Sequence, residues 1–312
     1  MTSGAGVAVA LVGPTASGKS ALAHQFALNS GGRVEILTVD AMTVYRGMNI
    51  GTAKPSPRER EEVPYHLVDL VEPYQEFTLA QYQRCAREAA AAVWRRGRAV
   101  LYVGGTGLYG RAILDNFEIP PQYPNVRFEL EARATNELRV LYAQLVELDP
   151  LAASRMEPTN ARRVVRALEV TLGSGRPFSS FGAGLRHYGR VRVVQVGLRR
   201  SMDELDQRIT DRFRGWMEEG FVREVVALAA TPQGLSRTAR QAVGYRELLR
   251  HVEEGVDLEE CVGEAIAQSR RLARRQRSWF QRDPRIEWFS DVETALTRLR
   301  AVANSSDGFV RD

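Results

Sequence analysis

The stretch GPTASGKS, residues 13–20, constrains the fold of this 312-residue chain more than any other feature. It matches the pattern G-x-x-x-x-G-K-[ST], in which a glycine-rich loop holds phosphate groups at the amino end of a helix. The pattern is specific only where a strand precedes the loop and a helix follows it. VAVALV, residues 7–12, is a short apolar run typical of a buried parallel strand, and SALAHQFAL, residues 20–28, has apolar residues at helical spacing. The sequence therefore predicts a strand, a phosphate-binding loop and a helix.

The residues of this loop have separate predicted tasks. Only two lysines, Lys19 and Lys54, occur among the 43 basic residues, so the lysine kept at the motif position indicates a need for a compact ammonium group. Lys19 would reach the outer phosphate, and the Ser20 hydroxyl would bind Mg²⁺, which is the one cofactor that we expect. The predicted phosphate-binding residues of the loop are Gly13, Pro14, Thr15, Ala16, Ser17, Gly18, Lys19 and Ser20.

The composition fits a soluble globular protein, with 44% hydrophobic and 26% charged residues. No apolar run approaches the roughly 20 residues of a membrane span, so we expect no membrane partner. The two cysteines, Cys85 and Cys261, are far apart and suit a reducing cytosol; by themselves they make no zinc site. The net charge of +5 permits a nucleic-acid partner without requiring one. We expect a cytoplasmic monomer.

Strand and helix patterns alternate through the first part of the chain. RVEILTVD, residues 33–40, predicts a second strand, residues 78–97 predict an amphipathic helix, and RAVLYVGGTG, residues 98–107, predicts a third strand that runs into a glycine turn. This alternation indicates a parallel α/β core. Ligands of such cores bind at the carboxyl ends of the strands, where the phosphate loop, Asp40 and residues 104–107 would meet.

The pattern changes after Asn116. EIPPQYP, residues 118–124, breaks the chain, and helical periodicity then replaces strand signals until Val191. We therefore expect a helical insertion domain at residues 117–187, and a P-loop NTPase-like α/β core formed by residues 1–116 and 188–312.

The sheet resumes with a predicted strand over residues 191–198. SMDE, residues 201–204, is a capping box that opens a long helix, after which we expect two further helices, one of them rich in arginine. RIEWFS and a last helix capped at Ser290 would complete the core, and the tail SSDGFVRD is expected to be disordered.

Two residues at strand ends are candidates for chemistry. Asp40 could be a general base, although position alone equally allows an aspartate that stabilises a turn. Thr106 offers a hydroxyl among glycines, where a tight turn is the alternative reading. Arg208 and Arg212, four residues apart on one helix face, could add positive charge to the phosphate site or could be solvated surface arginines.

Two basic clusters are candidates for a polyanion site. Arg270, Arg274 and Arg277 share one face of a helix that has few acidic neighbours, which favours a polyanion over an ordinary solvated face. A second cluster lies at residues 162–166, and Arg127 opens the first helix of the insertion.

The motifs together resemble the tRNA dimethylallyltransferases, also called tRNA isopentenyltransferases, of the bacterial type, which lack a carboxyl-terminal zinc finger. They span nearly the whole chain in the order of that family. The motifs are GPTASGKS, DAMTVYRGMNIGTAKP (40–55), VGGTGLY (103–109), NARRVVRALEV (160–170), QAVGYRE (241–247) and RRLARRQRSWFQRDPRI (270–286).

The resemblance implies a function. The loop would hold the diphosphate of dimethylallyl diphosphate as a leaving group, while the prenyl group passes to N6 of the adenosine 3′-adjacent to the anticodon. Asp40 would be the base, and Thr106 would lie near the leaving oxygen. The chain reads Asp40-Ala41-Met42-Thr43 where the family usually reads D-S-M-Q, the stretch that meets the adenine. The residues implied to contact the tRNA anticodon stem-loop are Asp40, Ala41, Met42, Thr43, Thr106, Arg127, Arg162, Arg163, Val164, Val165, Arg166, Arg270, Arg274 and Arg277.

Two other functions use the same core. A small-molecule kinase or a free-adenylate prenyltransferase would have no need for two basic clusters. A non-catalytic, GTPase-like RNA-binding module would need guanine-reading residues, and the chain contains no N-K-x-D string. An ATPase usually carries an acid at the end of a second buried strand, and LYVGGTG ends without one, although Asp40 could take that role.

Overall fold

The structure, a computed structural model, describes residues 8–182, 184–185, 187–189, 191 and 193–304. It divides into two compact units, Met1–Asp115 with Arg190–Asp312 and Asn116–Gly189. The first unit is an α/β core, and the second is helical. The predicted tail, residues 305–312, and the first residue of the first predicted strand lie outside the described residues.

The core is built on one six-stranded parallel sheet, which confirms the expected fold class. The strand order is β3-β2-β4-β1-β5-β6. Every residue of β1, β2 and β4 is buried, as expected for a parallel sheet covered by helices on both faces. The strands are β1 (Ala8–Val12), β2 (Val34–Val39), β3 (Tyr65–His66), β4 (Ala99–Gly104), β5 (Val194–Leu198) and β6 (Ile286–Phe289).

Twelve α-helices accompany these strands in the described part of the chain, and α5 to α7 belong to the helical unit. The helices are α1 (Lys19–Leu28), α2 (Pro57–Glu62), α3 (Leu79–Arg95), α4 (Gly107–Leu114), α5 (Pro124–Leu148), α6 (Pro150–Ala153), α7 (Ala161–Ser174), α8 (Met202–Glu219), α9 (Phe221–Ala229), α10 (Tyr245–Glu254), α11 (Leu258–Phe280) and α12 (Val292–Asn304).

The register of the sheet aligns the ends of its central strands. Gly104 of β4 lies opposite Val39 of β2 on one side and opposite Val12 of β1 on the other. Each of these three strands therefore ends at the same level, and the next residue of each enters a loop at one edge of the sheet. Gly104 has no side chain because a Cβ there would overlap the backbone of Val39. This close approach of β4 to β2 places the loops that follow these two strands side by side.

Two local predictions needed correction, and two short elements were missed. The sequence predicted two helices between α8 and the last strand, but there are three, because Gly220 with φ +99° ends α8 and begins α9. The last helix is capped by Asp291 rather than Ser290, since the Asp291 carboxylate accepts the backbone N–H of Thr294 over 2.7 Å. The short elements α2 and β3 were not predicted.

The carboxyl end of α11 is fixed to α4 by buried charges. Asp115, which follows α4, accepts hydrogen bonds from Arg111 and, over 2.6 Å, from Arg285. Arg285 also donates a hydrogen bond to Asp283 over 2.6 Å, so its guanidinium links the carboxylates of Asp115 and Asp283. The motif RDPRI therefore has a structural task, which is to hold the end of α11 beside the helix that follows β4.

The helical unit has its own core. Helices α5 and α7 pack through buried residues that include Leu141, Leu145 and Leu168. Glu169 is fully buried and accepts hydrogen bonds from Arg127 over 2.9 Å and from the backbone N–H of Tyr123 over 2.8 Å. None of the helices in the described ranges combines the length and apolar character that a membrane span requires.

Candidate active site

The phosphate loop lies between β1 and α1, as its pattern predicts. Gly18 adopts φ +93°, a left-handed conformation that glycine tolerates, and it begins α1 without a side-chain cap. The first N–H groups of α1 are therefore left for an acceptor from outside the helix, and the helix dipole favours an anion there. The geometry is that of an anion site at a helix amino end.

Three cations surround this loop. Lys19 is 9% exposed, and its Nζ donates to the Pro14 carbonyl over 3.1 Å. Arg208 Nε donates to the Ala16 carbonyl over 2.9 Å, and Arg212 Nη2 donates to the Thr15 hydroxyl over 3.0 Å. Both arginines therefore contact the loop, although Arg208 is also exposed to solvent and Arg212 is only partly exposed.

These cations perturb one another. Burial, and then the charge of Arg212, lower the pKa of Lys19 to about 8, against an opposing effect of Asp40. Burial, and then Arg208, lower the pKa of Arg212 to about 10. Each shift means that the free site disfavours the positive charge it holds. An anion with several negative charges would relieve this repulsion, so the site is suited to a diphosphate or a nucleotide phosphate.

Two further residues of the loop, Ser17 and Ser20, differ in whether their side chains are exposed. Ser17 is fully buried, and its hydroxyl has no hydrogen-bond partner in the described structure. The Ser17 carbonyl is 3.5 Å from Arg200 Nε, a contact that the sequence did not indicate. Ser20 is exposed on the first turn of α1, where its hydroxyl is open to a ligand.

Asp40 follows β2 and lies across the site from the loop. Its Oδ1 accepts the backbone N–H groups of Met42 over 2.7 Å and Thr43 over 3.3 Å. The turn interpretation is thus satisfied by one oxygen, while Oδ2 accepts no hydrogen bond from the described residues. Asp40 is close enough to Lys19 to oppose the lowering of its pKa. The same carboxylate could therefore shape a turn and still receive a proton.

The stretch after Asp40 differs in exposure from residue to residue. Ala41 and Met42 are partly exposed, whereas Thr43 is 5% exposed and its hydroxyl is buried without a partner in the described structure. The sequence-based prediction that Thr43 contacts tRNA stays a prediction, and the burial of its side chain limits the surface that it offers to a base. Thr43 supports the loop through its carbonyl, which accepts the backbone N–H of Asp69 over 3.1 Å.

Thr106 lies between β4 and α4. Its backbone N–H reaches the Val39 carbonyl over 3.4 Å, and its hydroxyl makes no capping hydrogen bond to α4. Thr106 is partly exposed, and it lines a small apolar cavity between the sheet and α4 with Tyr102, Gly110 and Phe280. At the carboxyl edge of the sheet, Thr106 lies between Asp40 and the phosphate loop, because β4 lies between β2 and β1.

The arginine-rich helix α11 presents a smaller free cationic surface than predicted. Arg274 Nη2 forms an ion pair with Asp206 of α8 over 2.8 Å, and Arg270 Nη2 donates to the Thr210 hydroxyl over 2.9 Å. The few acidic neighbours in sequence were misleading, because the acid comes from another helix. Arg277 is partly exposed, and Arg271 and Arg275 are exposed on the opposite side of α11.

The cluster at residues 162–166 is also divided. Arg162 and Arg163 are exposed, but Arg166 forms an ion pair with Glu169 over 3.0 Å, and Arg127 pairs with the same carboxylate. Val164 and Val165 are 0% and 4% exposed, so the prediction that they contact tRNA is wrong for their side chains. Their burial follows from the apolar face that α7 packs against α5.

Gln276 is a site residue that the sequence did not single out. Its Oε1 accepts the backbone N–H of Thr15 over 2.7 Å, which joins α11 to the phosphate loop. Trp279, one turn further along α11, packs directly against Gly107 at the start of α4, where a Cβ would overlap the indole ring. Residues of the α11 motif therefore contact both the phosphate loop, through Gln276, and the start of α4, through Trp279.

A parallel sheet whose first strand enters a glycine-rich loop, with an acid and a glycine turn on the adjacent strand ends, defines a P-loop NTPase-like protein. Residues 43–283 match the family model described as IPP transferase. The chain belongs to this family, that of the tRNA dimethylallyltransferases, which are enzymes that transfer a prenyl group.

Individual relatives agree with this assignment. A tRNA dimethylallyltransferase of Salinispora arenicola is 45% identical over 301 residues, which cover 96% of this chain and 87% of the relative. The crystal structure of the tRNA isopentenylpyrophosphate transferase of Bacillus halodurans is 33% identical, with a TM-score of 0.68 and 95% of each chain covered. A eukaryotic dimethylallyltransferase acting on tRNA is 26% identical, with a TM-score of 0.75 over 96% of this chain and 79% of that one.

Proposed function

We propose that this chain transfers the dimethylallyl group of dimethylallyl diphosphate to N6 of the adenosine 3′-adjacent to the anticodon of tRNAs, releasing diphosphate. The alignment of the strand ends carries the proposal. Asp40 and Gly13 follow strands that are separated only by β4, so their backbones are roughly 10 Å apart at about 4.8 Å per strand. A gap of that size suits a five-carbon group between an acceptor amine and a diphosphate.

The cations around the loop favour the departure of the diphosphate. As the bond between C1 of the prenyl group and its oxygen breaks, negative charge builds on the diphosphate. Lys19, Arg208 and Arg212 are held at the loop by hydrogen bonds to its residues, so positive charge already lies beside this position before the reaction. Thr106 lies at the end of the intervening strand, and its uncommitted hydroxyl is suited to a hydrogen bond with the leaving oxygen.

The amine needs a proton acceptor. An exocyclic adenine amine is a weak nucleophile because its lone pair is delocalised into the ring. In the proposed reaction the N6 nitrogen forms a bond to C1 of the prenyl group, and Asp40 takes the proton that N6 loses. The Asp40 oxygen that is not used in the turn is the acceptor. The base must leave its stack in the anticodon loop to reach Asp40.

The site fits Mg²⁺ carried by the substrate. Mg²⁺ usually keeps several waters and binds one or two protein groups together with substrate phosphates. Ser20 offers an exposed hydroxyl next to Lys19, and the described residues include no cluster of His, Cys, Asp or Glu that could hold a metal alone. Ser20 would hold the ion, which when bound would neutralise part of the diphosphate charge.

The tRNA is held, in this proposal, by arginines that the fold leaves free. Arg162 and Arg163 on α7, and Arg271, Arg275 and Arg277 on α11, have no ion pair among the described residues and are open to phosphates. Arg127, Arg166, Arg270 and Arg274 are engaged within the protein and would act mainly by holding these helices in place. The proposed tRNA contacts therefore involve fewer of the predicted arginines than the sequence alone implied.

The experiment combines the protein with Mg²⁺, dimethylallyl diphosphate and unmodified tRNA, followed by nucleoside analysis by mass. We expect an adenosine heavier by one dimethylallyl group, located next to the anticodon. Asp40→Asn keeps the acceptor oxygen of the turn but removes the base, so turnover should fall about 10²–10⁴-fold while tRNA affinity changes little. ATP hydrolysis coupled to product formation, or prenylation of free adenylate in preference to tRNA, would contradict the proposal.

A further inference from the structure

Gln276 is placed to control the distance between two loops of the site. On one side its Oε1 accepts the Thr15 N–H over 2.7 Å. On the other side its Nε2 faces Gly105, where an added Cβ would lie only 2.7 Å from that nitrogen. The same Cβ would lie 3.3 Å from the carbonyl oxygen of Gly13. The carboxamide thus lies between the phosphate loop and the glycine turn after β4.

Gln276 lies on the mostly buried face of α11 and is itself partly buried. Ser269, Ala273 and Phe280 are buried at 5%, 0% and 6% exposure, and with Gln276 they are spaced by four, three and four residues along one face. A polar carboxamide on such a face requires hydrogen-bond partners, because burying it without them is costly. The Thr15 N–H is one partner, and it is a group that would otherwise be unpaired in a loop built to hold an anion.

We propose that Gln276 is a positioning residue, which fixes the phosphate loop relative to the glycine turn and so keeps open the gap into which the diphosphate fits. The inference rests on the proposed function for the identity of the substrate. Gln276 does not react; it acts through the backbone of Thr15 and through the space it fills beside Gly105.

The first test is the affinity for inorganic pyrophosphate, measured by calorimetry with Mg²⁺ present. Gln276→Leu removes both amide functions and should weaken pyrophosphate binding about tenfold, because the partly buried Thr15 N–H loses its acceptor and the loop loses its link to α11. Gln276→Glu keeps an acceptor for Thr15 but places a carboxylate near the anion, so it should retain the melting temperature and still lose affinity. Gln281→Leu, on an exposed residue at the end of α11, is the matched control and should bind as the wild type does.

The second test is a double-mutant cycle between Gly105 and Gln276. Gly105 has no positive φ, so Gly105→Ala is free of backbone strain and its main effect is the contact with Nε2. Gly105→Ala alone should weaken pyrophosphate binding, and Gln276→Ala should make that change less harmful, because the Cβ then has room. In transfer assays Gln276→Leu should raise KM for dimethylallyl diphosphate and leave KM for tRNA within about threefold.

The outcomes separate this inference from the proposed function. Wild-type pyrophosphate affinity in Gln276→Leu, or fully additive effects in the cycle, would overturn the positioning role. Because calorimetry needs no turnover, weak binding in Gln276→Leu would support the inference even if the wild type transferred no prenyl group. The absence of prenyl transfer by the wild type would refute only the proposed function.

Discussion

Arg212 donates a hydrogen bond from Nη2 to the hydroxyl of Thr15 over 3.0 Å, joining α8 to the phosphate loop. The same guanidinium lies over the ring of Trp216, 4.7 Å from its centroid, which orients it on the helix. Its Nε is buried and has no hydrogen-bond partner in the described structure. A buried donor without an acceptor, next to an anion site, indicates that the ligand completes its hydrogen bonds.

Replacing Arg212 should therefore damage anion binding more than stability. We expect Arg212→Ala to weaken pyrophosphate binding about 10- to 100-fold, the range for a hydrogen bond to a charged group. Arg214→Ala is the control, since Arg214 is 68% exposed and pairs only with Asp211 among the described residues. Calorimetry on both variants checks the expectation, and equal affinities would refute it.

The pH dependence of anion binding should report Lys19. Its pKa is about 8 in the folded protein, below the 10.5 of an exposed lysine, so between these values the unfolded chain holds a proton that the folded chain has lost. This group therefore makes the folded protein more stable as pH rises from about 8 to about 10.5. A bound diphosphate favours the ammonium, so binding above pH 8 should take up a proton and weaken by up to about tenfold per pH unit.

The comparison with Lys19→Arg isolates this effect. An arginine at this position stays charged to a higher pH than Lys19, so this variant should show only the pH dependence of pyrophosphate and, near pH 10, that of Arg212. Calorimetry in buffers with different ionisation heats measures the proton uptake directly. Identical slopes and identical proton uptake in the two proteins would show that Lys19 does not titrate in this window.

The two faces of α11 should respond differently to mutation. Arg271 and Arg275 are exposed, so replacing both with alanine should reduce the slope of log affinity for tRNA against log salt by roughly 1.4–1.8, or about 0.7–0.9 per contact. Replacing Arg270 and Arg274, which are bonded to α8, should lower the melting temperature and change the slope less. Filter binding at several salt concentrations and thermal melts give both quantities. The reverse pattern would place the RNA contacts on the face beside α8.

Glu169 should contribute to the stability of the helical unit and not to that of the sheet. It is fully buried and pairs with Arg127 and Arg166, so Glu169→Gln leaves two cations with a neutral acceptor. We expect a loss of about 1.5–3 kcal/mol, as for charged hydrogen bonds that become neutral, because Arg127 and Arg166 are partly exposed and can be solvated. Hydrogen exchange should speed up for amides of residues 116–189 and not for the sheet. Glu147→Gln, on an exposed residue of α5, should have no effect.

Local patterns in the sequence predicted the sheet and the phosphate loop because buried parallel strands read as apolar runs. VAVALV and LYVGG carry that pattern without interruption. β3 escaped detection because it has only two residues, Tyr65 and His66, and pairs with β2 alone. Helix α2 left a readable signal that was missed, since Ser56 and Glu59 form a capping box ahead of Pro57–Glu62.

The pairing of charges could not be read in the same way. Asp206 lies 68 residues before Arg274, so nothing local showed that a basic helix has an acid against one side. Glu169 lies close to Arg166 in sequence, yet its burial depends on how α7 packs against α5. The burial of Val164 and Val165, by contrast, was available from the apolar periodicity of residues 160–170. Gln276 also left a trace, as a long polar residue on a helix face that is otherwise made of small and apolar residues.

The position of β1 at the centre of the sheet has a consequence for synthesis of the chain. Val9 pairs with Leu101 on one side and with Val194 on the other, so one edge of β1 finds its partner only after about 190 residues have been made. The helical unit, whose core is internal, can fold while this edge is still open. Until β5 emerges from the ribosome, the nascent chain exposes an unpaired apolar strand, a template for aggregation that chaperones would have to cover.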